Sequence, residues 1–351
     1  LRTCRYNESA FTNPFIKEFN MPASKTPTIY DVAEHAGVSI TTVSRMLNAP
    51  DKVNPETRDR ILAAIDALGF VPKAEARARA LRQTGRIGVI TPFFTAPSFV
   101  QRLRGIAAAL SKENYELVIY TVESAAHLTN YFASIPLTGN LDGLIIMSLP
   151  VSNENVHRLN IPTVLIEYPN ESLSCVEIDD VAGGRMAAEY LIKKGHRHIA
   201  FLGDTDLPEY AIHPVSQRLT GFRQALAEAG IDLPENFVRL APYSMEQTYI
   251  VAKDLLNLPR PPSAVFAATD LQALGVLKSA RQMGVNIPAD LAVVGFDDLD
   301  MAEYADLTTI RQHLDESGRL AVEILLSRIA NPARPVQHIH LPLTLIERET
   351  A

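Results

Sequence analysis

Thr28-Ile29-Tyr30-Asp31-Val32-Ala33-Glu34-His35-Ala36-Gly37-Val38-Ser39-Ile40-Thr41-Thr42-Val43-Ser44-Arg45-Met46-Leu47-Asn48 encodes two short helices and the tight turn between them. Thr28 is placed to cap the first, with Asp31 three positions on as a carboxylate variant of the capping box. Val32, Ala33 and Ala36 recur at the spacing of one helix face, and Gly37 supplies the residue on which a helix stops. Ser39 caps the second helix, Ile40 to Asn48, whose apolar side is Val43, Met46 and Leu47. A third helix opens at Asn54-Pro55, with proline at its first position. Its expected stripe is Ile61, Leu62, Ile65 and Leu68, and its stop Gly69.

This pattern leaves Thr41, Thr42, Ser44 and Arg45 facing outward near the start of the second helix. In a helix-turn-helix that helix enters the major groove, where hydroxyls bond phosphates or bases and arginine can bond guanine bidentately. Three helices with a solvated polar face would equally be an ordinary small bundle, and periodicity alone does not separate the two.

The residues themselves do. The quoted stretch closely resembles the head of the lac repressor/galactose repressor family. The resemblance continues through Val53-Asn54-Pro55-Glu56-Thr57-Arg58 and Leu68-Gly69-Phe70-Val71-Pro72, then along the body to about residue 346. It implies that Ile40, Thr41 and Arg45 read bases. It also implies that Thr28, Ser39, Thr42, Ser44, Asn48, Asn54 and Thr57 hold the DNA backbone. The implied partner is a near-palindromic double-stranded operator bound by a homodimer.

Charge agrees with that division. Ten basic residues stand against seven acidic ones between Lys25 and Arg86, a net +3; residues 1–24 carry +1, so the overall −7 leaves −11 on the remainder. A basic head on an acidic body suits a DNA reader with a regulatory domain. The chain of 351 residues is 47% hydrophobic, enough for one small module and a larger two-part body. No apolar run approaches the ~18 residues of a membrane span, and no signal-peptide pattern opens the chain. Two cysteines, Cys4 and Cys175, make neither a disulfide framework nor a zinc site. The expected setting is the cytoplasm, with no cofactor and no metal.

Four segments follow: an extension at residues 1–24, expected to be disordered; the helix-turn-helix at 25–72; a hinge at 73–86; and an effector-binding and dimerisation body at 87–351. The hinge is rich in alanine and arginine and short for an isolated helix. DNA could order it by phosphate neutralisation. In the family the matching segment lies in the minor groove and wedges a leucine into a base step. Leu81 is the hinge's leucine, two residues later than the usual position.

From Arg86 onward short apolar runs alternate with amphipathic stretches. Strands are expected at Ile87–Ile90, Leu117–Tyr120, Gly143–Met147, Val164–Ile166, Ile199–Leu202, Ala264–Ala267 and Leu291–Phe296. Helices are expected at Gly183–Lys194 and Asp270–Met283. Such alternation means parallel sheets covered by helices, with ligands bound beyond the strands' carboxyl ends. There is no G-x-G-x-x-G, no P-loop and no G-x-S-x-G elbow, and His196-Arg197-His198 reads as a loop. No catalytic constellation is legible, so an enzyme is not expected.

The resemblance implies two Rossmann-like subdomains of the type I periplasmic-binding-protein kind, with a ligand between them. Carried over by position, Arg218 and Asp297 would hydrogen-bond the effector, Phe99 and Tyr243 would pack rings on it, and Thr269 stands where many relatives carry Asn. Arg218 and Asp297 could instead form a structural ion pair across the cleft, and the rings could be core. Phe93 stands where many relatives have Asp, and Ser98 replaces one of two adjacent aromatics. A pocket less polar on one side is therefore expected. The expected function is a repressor of carbohydrate genes controlled by a sugar-like effector. A purine-like corepressor and a non-DNA-binding sugar-binding protein remain the alternatives.

Overall fold

The computed structural model describes residues 27–48, 52–68, 70, 84–138, 140–205, 208 and 210–351. The extension at 1–24, Gly69 and most of the hinge, Leu81 included, lie outside the described residues. The chain divides into two compact units at Arg77/Ala78.

In the first unit, α1 (Ile29–Ala36), α2 (Ile40–Asn48) and α3 (Pro55–Leu68) enclose a small core. The local signals behave as their chemistry requires. The Thr28 N–H donates to Asp31 Oδ2 at 2.6 Å, and Gly37 turns left-handed at φ 64°. The Thr42 N–H donates to Ser39 Oγ at 3.1 Å, and the Glu56 N–H to Asn54 Oδ1 at 3.0 Å. Val32, Ala33, Ala36, Val43, Met46, Ile61, Ala64 and Phe70 are buried together. The expected stripe of α3 needs one correction: Leu62 is exposed, and Ala64 takes its place inside. At about 100° per residue, Ile61, Ala64, Ile65 and Leu68 share a face that Leu62 lies a quarter-turn away from.

The second unit is built on two six-stranded sheets. Its strands are β1 (Arg86–Thr91), β2 (Glu116–Thr121), β3 (Gly143–Met147), β4 (Thr163–Ile166), β5 (Ser174–Glu177), β6 (Ile199–Asp204), β7 (Val238–Ala241), β8 (Ala264–Ala267), β9 (Ala292–Asp297), β10 (Thr308–Arg311), β11 (His338–His340) and β12 (Thr344–Ile346). Its α-helices are α4 (Pro97–Leu110), α5 (Ala125–Thr138), α6 (Asn153–Leu159), α7 (Asp180–Lys193), α8 (Pro214–Glu228), α9 (Met245–Leu256), α10 (Asp270–Met283), α11 (Asp300–Tyr304) and α12 (Leu314–Ala330). Every expected strand is present. β5, β7, β10, β11 and β12, three or four residues each, are additional.

The sheets run β11-β5-β4-β3-β1-β2 and β12-β10-β9-β8-β6-β7, parallel except that β12 lies antiparallel to β10. The chain crosses between them after β5, after β10 and after β11. Two helices change sides with it. Helix α7 leaves the first sheet and packs Ala187, Ala188 and Leu191 into the core of the second, around Phe201, Phe222 and Phe266. Helix α12 makes the reverse exchange, placing Ala321, Val322 and Leu325 under β1, β3 and β4. β1 begins at Arg86, the expected last residue of the hinge and one residue before the expected strand start. The Thr84 and Gly85 N–H groups just before it donate to the Asp142 carboxylate at 2.6 and 2.7 Å.

Candidate functional site

A cavity opens where the carboxyl ends of the two sheets face each other. In doubly wound sheets the ligand crevice lies at this end, at the point where strand order reverses. From the first sheet come Phe93 after β1, Ser98, Phe99 and Arg102 on α4, Ser148 after β3 and Glu167 after β4. From the second come Asp204 at the end of β6, Arg218 on α8, Tyr243 after β7, Thr269 after β8 and Asp297 at the end of β9. Gln312, just past β10, lines it too. All five residues expected to touch an effector, Phe99, Arg218, Tyr243, Thr269 and Asp297, thus meet at one cavity. Four lining residues, Phe93, Ser148, Glu167 and Asp297, hold left-handed φ angles of 47°, 55°, 74° and 118°. Non-glycine residues tolerate that conformation at a cost, and such outliers concentrate at functional sites.

One wall is apolar. Phe93 meets Phe99 edge-on with ring centroids 6.0 Å apart, and Ala96, Ala211, Ile212, Pro214 and Val215 continue the surface. Phe93 lies here, where a less polar lining was expected. The rest of the lining includes a network of buried charge. Arg102 donates to Glu167 at 2.5 Å and to Ser317 at 3.0 Å, and Ser148 donates to the second Glu167 oxygen. Arg218 donates from Nε to Asp180 at 2.8 Å and from Nη1 to the Ala268 carbonyl at 2.6 Å. Its guanidinium lies 3.6 Å from the Phe296 ring centroid. Gln312 Nε2 donates to Asp297 Oδ1.

The alternative reading of Arg218 and Asp297, an ion pair across the cleft, is corrected in its placement. Both residues belong to the same sheet's subdomain and stand 3.9 Å apart, while Asp180 is the closer partner. Arg102, Ser148, Glu167, Asp204 and Gln312 had not been expected. One signal for Arg102 was present in the sequence: Arg-Leu-x-Gly occurs at 102–105 and again at 218–221. Each copy sits on the helix that brings an arginine to the cavity.

Burial pushes the Asp297 carboxyl up to about 7, against the attraction of Arg218 and the Gln312 hydrogen bond. Burial also raises Asp204. It raises Asp180 despite Arg218 beside it, and Asp270, where repulsion from Asp297 adds to it. For Arg218 burial works downward, but Asp180 and Asp297 carry the guanidinium above its ordinary value. An unfolded aspartate ionises near 3.9. Between there and about 7 the folded chain therefore holds protons that the unfolded chain releases. These carboxyls make stability greatest at the acid end of that window, falling as pH rises through it and level above. The melting temperature is expected to be higher at pH 5.5 than at pH 8, with a smaller difference in Asp297→Asn. A wild-type melting temperature that climbs over this interval would contradict the assignment.

In the first unit, Ile40, Thr41 and Arg45 lie exposed on α2, and Thr42 and Ser44 are half-buried beside them. Thr28, Ser39 and Asn54 are exposed at helix starts, and Thr57 is half-buried on α3. Asn48 is the last residue of α2. These expected DNA contacts thus occupy the second helix and the helix N-termini, the ends that suit phosphates.

Residues 28–73 match the family described as bacterial regulatory proteins, lacI family, and residues 188–351 match the periplasmic binding protein-like domain. The Escherichia coli ribose operon repressor is 32% identical over 92% of this chain and 99% of its own length. The chain belongs to the lacI family of bacterial regulatory proteins. Among solved structures, a CelR–cellobiose complex is 31% identical with a TM-score of 0.66, covering 93% of this chain and all of that one. A lac repressor dimer bound to operator and the anti-inducer ONPF is 27% identical with a TM-score of 0.76, covering 93% and 99%. This lacI-family chain is thus a DNA-binding transcription regulator with a ligand-binding body. Its relatives are regulators rather than enzymes. No helix among the described residues is long and apolar enough to cross a membrane.

Proposed function

We propose that this regulator is a repressor of carbohydrate-related genes whose hold on a near-palindromic operator is set by a sugar-like effector in the cavity between the sheets. The observation that carries the reading is the cavity's mixed lining. Phe93 and Phe99 offer an apolar wall to the C–H face of a ring. Arg218, Asp297, Gln312 and Glu167 offer hydrogen-bonding groups to its hydroxyls. The relatives support it in the same direction, one named for the ribose operon and one solved with cellobiose. Phe99, Arg218, Tyr243, Thr269 and Asp297 are the proposed contacts. The effector acts through its affinity difference between two arrangements of the subdomains. We place the working form as a homodimer in the cytoplasm, its segments divided at residues 24, 72 and 86, with Leu81 as the candidate minor-groove wedge. Operator titrations with and without pentoses, hexoses, disaccharides and nucleobases test the reading. A sugar should change operator affinity, and Asp297→Asn should abolish the change while leaving sugar-free binding intact. A response confined to nucleobases would replace the sugar reading with a purine-like one.

The DNA side makes its own prediction. Arg45→Ala should weaken specific binding by about 1–3 kcal/mol and relax preference at one base pair. Competition assays against operator and random duplex read both effects. Equal losses on the two would make Arg45 a backbone contact.

A further inference from the structure

The cavity's charges do not balance. Among the described residues its lining holds two guanidiniums, Arg102 and Arg218, and three carboxylates, Glu167, Asp204 and Asp297. Each guanidinium has a close carboxylate partner of its own: Arg102 with Glu167 at 2.5 Å and Arg218 with Asp180 at 2.8 Å. They also donate to Ser317, Gln312 and the Ala268 carbonyl. Arg218 also stands 3.9 Å from Asp297, so two acids share that one cation, and Asp204 has no ion pair among the described residues. Asp204 and Asp297 each keep one buried oxygen, Asp204 Oδ1 and Asp297 Oδ2, with no hydrogen-bond donor. Asp297 is only 3% exposed, so water does not serve it freely. The nearby acid Asp270 is different: Thr309 and the Leu299 N–H satisfy both its oxygens, and it needs nothing from a ligand.

A buried acceptor left without a donor is unfavourable, and a buried charge left without a counter-charge more so. A neutral hydroxyl would supply donors and leave the charge uncompensated. A phosphate or carboxylate would face two acids and find both arginines occupied. A protonated amine supplies donors and the missing charge together. We propose that the effector of this regulator carries a protonated amine, as an amino sugar does, held by Asp204 and Asp297. The inference rests on the reading of the cavity as the effector site and narrows the ligand's chemistry. The apolar wall of Phe93 and Phe99 would take the ring face opposite the amine. Burial raises both acids against the pull of Arg218, and a further cation beside them would favour their charged forms.

The test is thermal stabilisation of the full chain by matched sets: glucosamine, glucose and glucuronate, and the same three forms of galactose and mannose. The amine of at least one set should stabilise at about ten-fold lower concentration than its neutral parent. Asp204→Asn should remove that advantage. It should also raise the melting temperature of the ligand-free chain, since an uncompensated buried charge is gone. Asp297→Asn provides the same comparison if the first variant folds poorly. A neutral sugar that outperforms its amine in every set overturns the proposal and leaves the sugar-effector reading standing. Stabilisation by the uronates alone overturns it as well. No shift with any member of any set overturns both the proposal and the reading beneath it.

Discussion

Arg218→Ala should destabilise the body by about 3–5 kcal/mol, the usual loss when one member of a buried ion pair is removed. For a domain of this size that is a fall of roughly 10 °C in melting temperature. The reason lies in what the guanidinium touches. It binds Asp180 at 2.8 Å and the Ala268 carbonyl at 2.6 Å, lies on the Phe296 ring, and stands 3.9 Å from Asp297. Removal strands two acids and a carbonyl. The loss should depend on pH with a definite sign. Without the cation, Asp180 and Asp297 are raised further and stay protonated to higher pH. Below that range they are neutral and the missing cation matters less. Melting curves at pH 5.5 and pH 8 should show the smaller loss at the acid end. Equal losses at both values would mean that Arg218 acts through packing alone. The residue is therefore a poor choice for isolating effector binding, because it also maintains the fold. Asp297→Asn keeps shape and removes charge, and is the cleaner probe.

The second large effect is expected from a methyl group. An added Cβ at Gly184 would lie 1.8 Å from the Arg218 carbonyl oxygen, and one at Gly221 would lie 1.8 Å from the Val181 oxygen. Helices α7 and α8 thus touch backbone to backbone through reciprocal glycines, which no side chain permits. The first subdomain repeats the device. Gly105 on α4 would meet the Asp315 oxygen at 2.0 Å, and Gly318 on α12 the Arg102 oxygen at 2.3 Å. In both places the glycine faces an arginine that lines the cavity. Gly184→Ala must part α7 from α8, and overpacking of this kind costs about 1–3 kcal/mol or more. It also moves the turn that carries Arg218, so effector response should fall together with stability. Gly221→Ala should do the same. The double variant should lose less than the sum of the two, because the first separation makes room for the second methyl. Additive losses would mean that the two contacts yield independently.

The recurrence of Arg-Leu-x-Gly follows from this packing. The glycine lets the crossover helix approach, and the arginine one turn earlier reaches the cavity. The tetrapeptide was visible in the sequence at 102–105 and 218–221. Its meaning was not, because neither copy says which helix it packs on. The partners, α12 and α7, belong by sequence to the opposite sheet.

What the sequence determined by itself was what depends on near neighbours. Caps at Thr28, Ser39 and Asn54 and the stop at Gly37 fix the head's helices within a few residues of themselves. The alternation of apolar runs and amphipathic stretches fixed the α/β body, because period is a local property. Family resemblance placed Phe99, Arg218, Tyr243, Thr269 and Asp297, and the folded chain brings all five to one cavity. Tertiary structure decided the rest. Asp180 rather than Asp297 is the closer partner of Arg218, across 38 positions of sequence. Glu167, a residue without a motif, joins Arg102 from 65 positions away. The short strands β5, β7, β10, β11 and β12 exist because neighbours pair with them. The ionisation of Asp204 and Asp297 is set by how deeply distant elements bury them and how few cations those elements bring. Charge pairing and desolvation are long-range sums over the folded chain, and no local pattern encodes them.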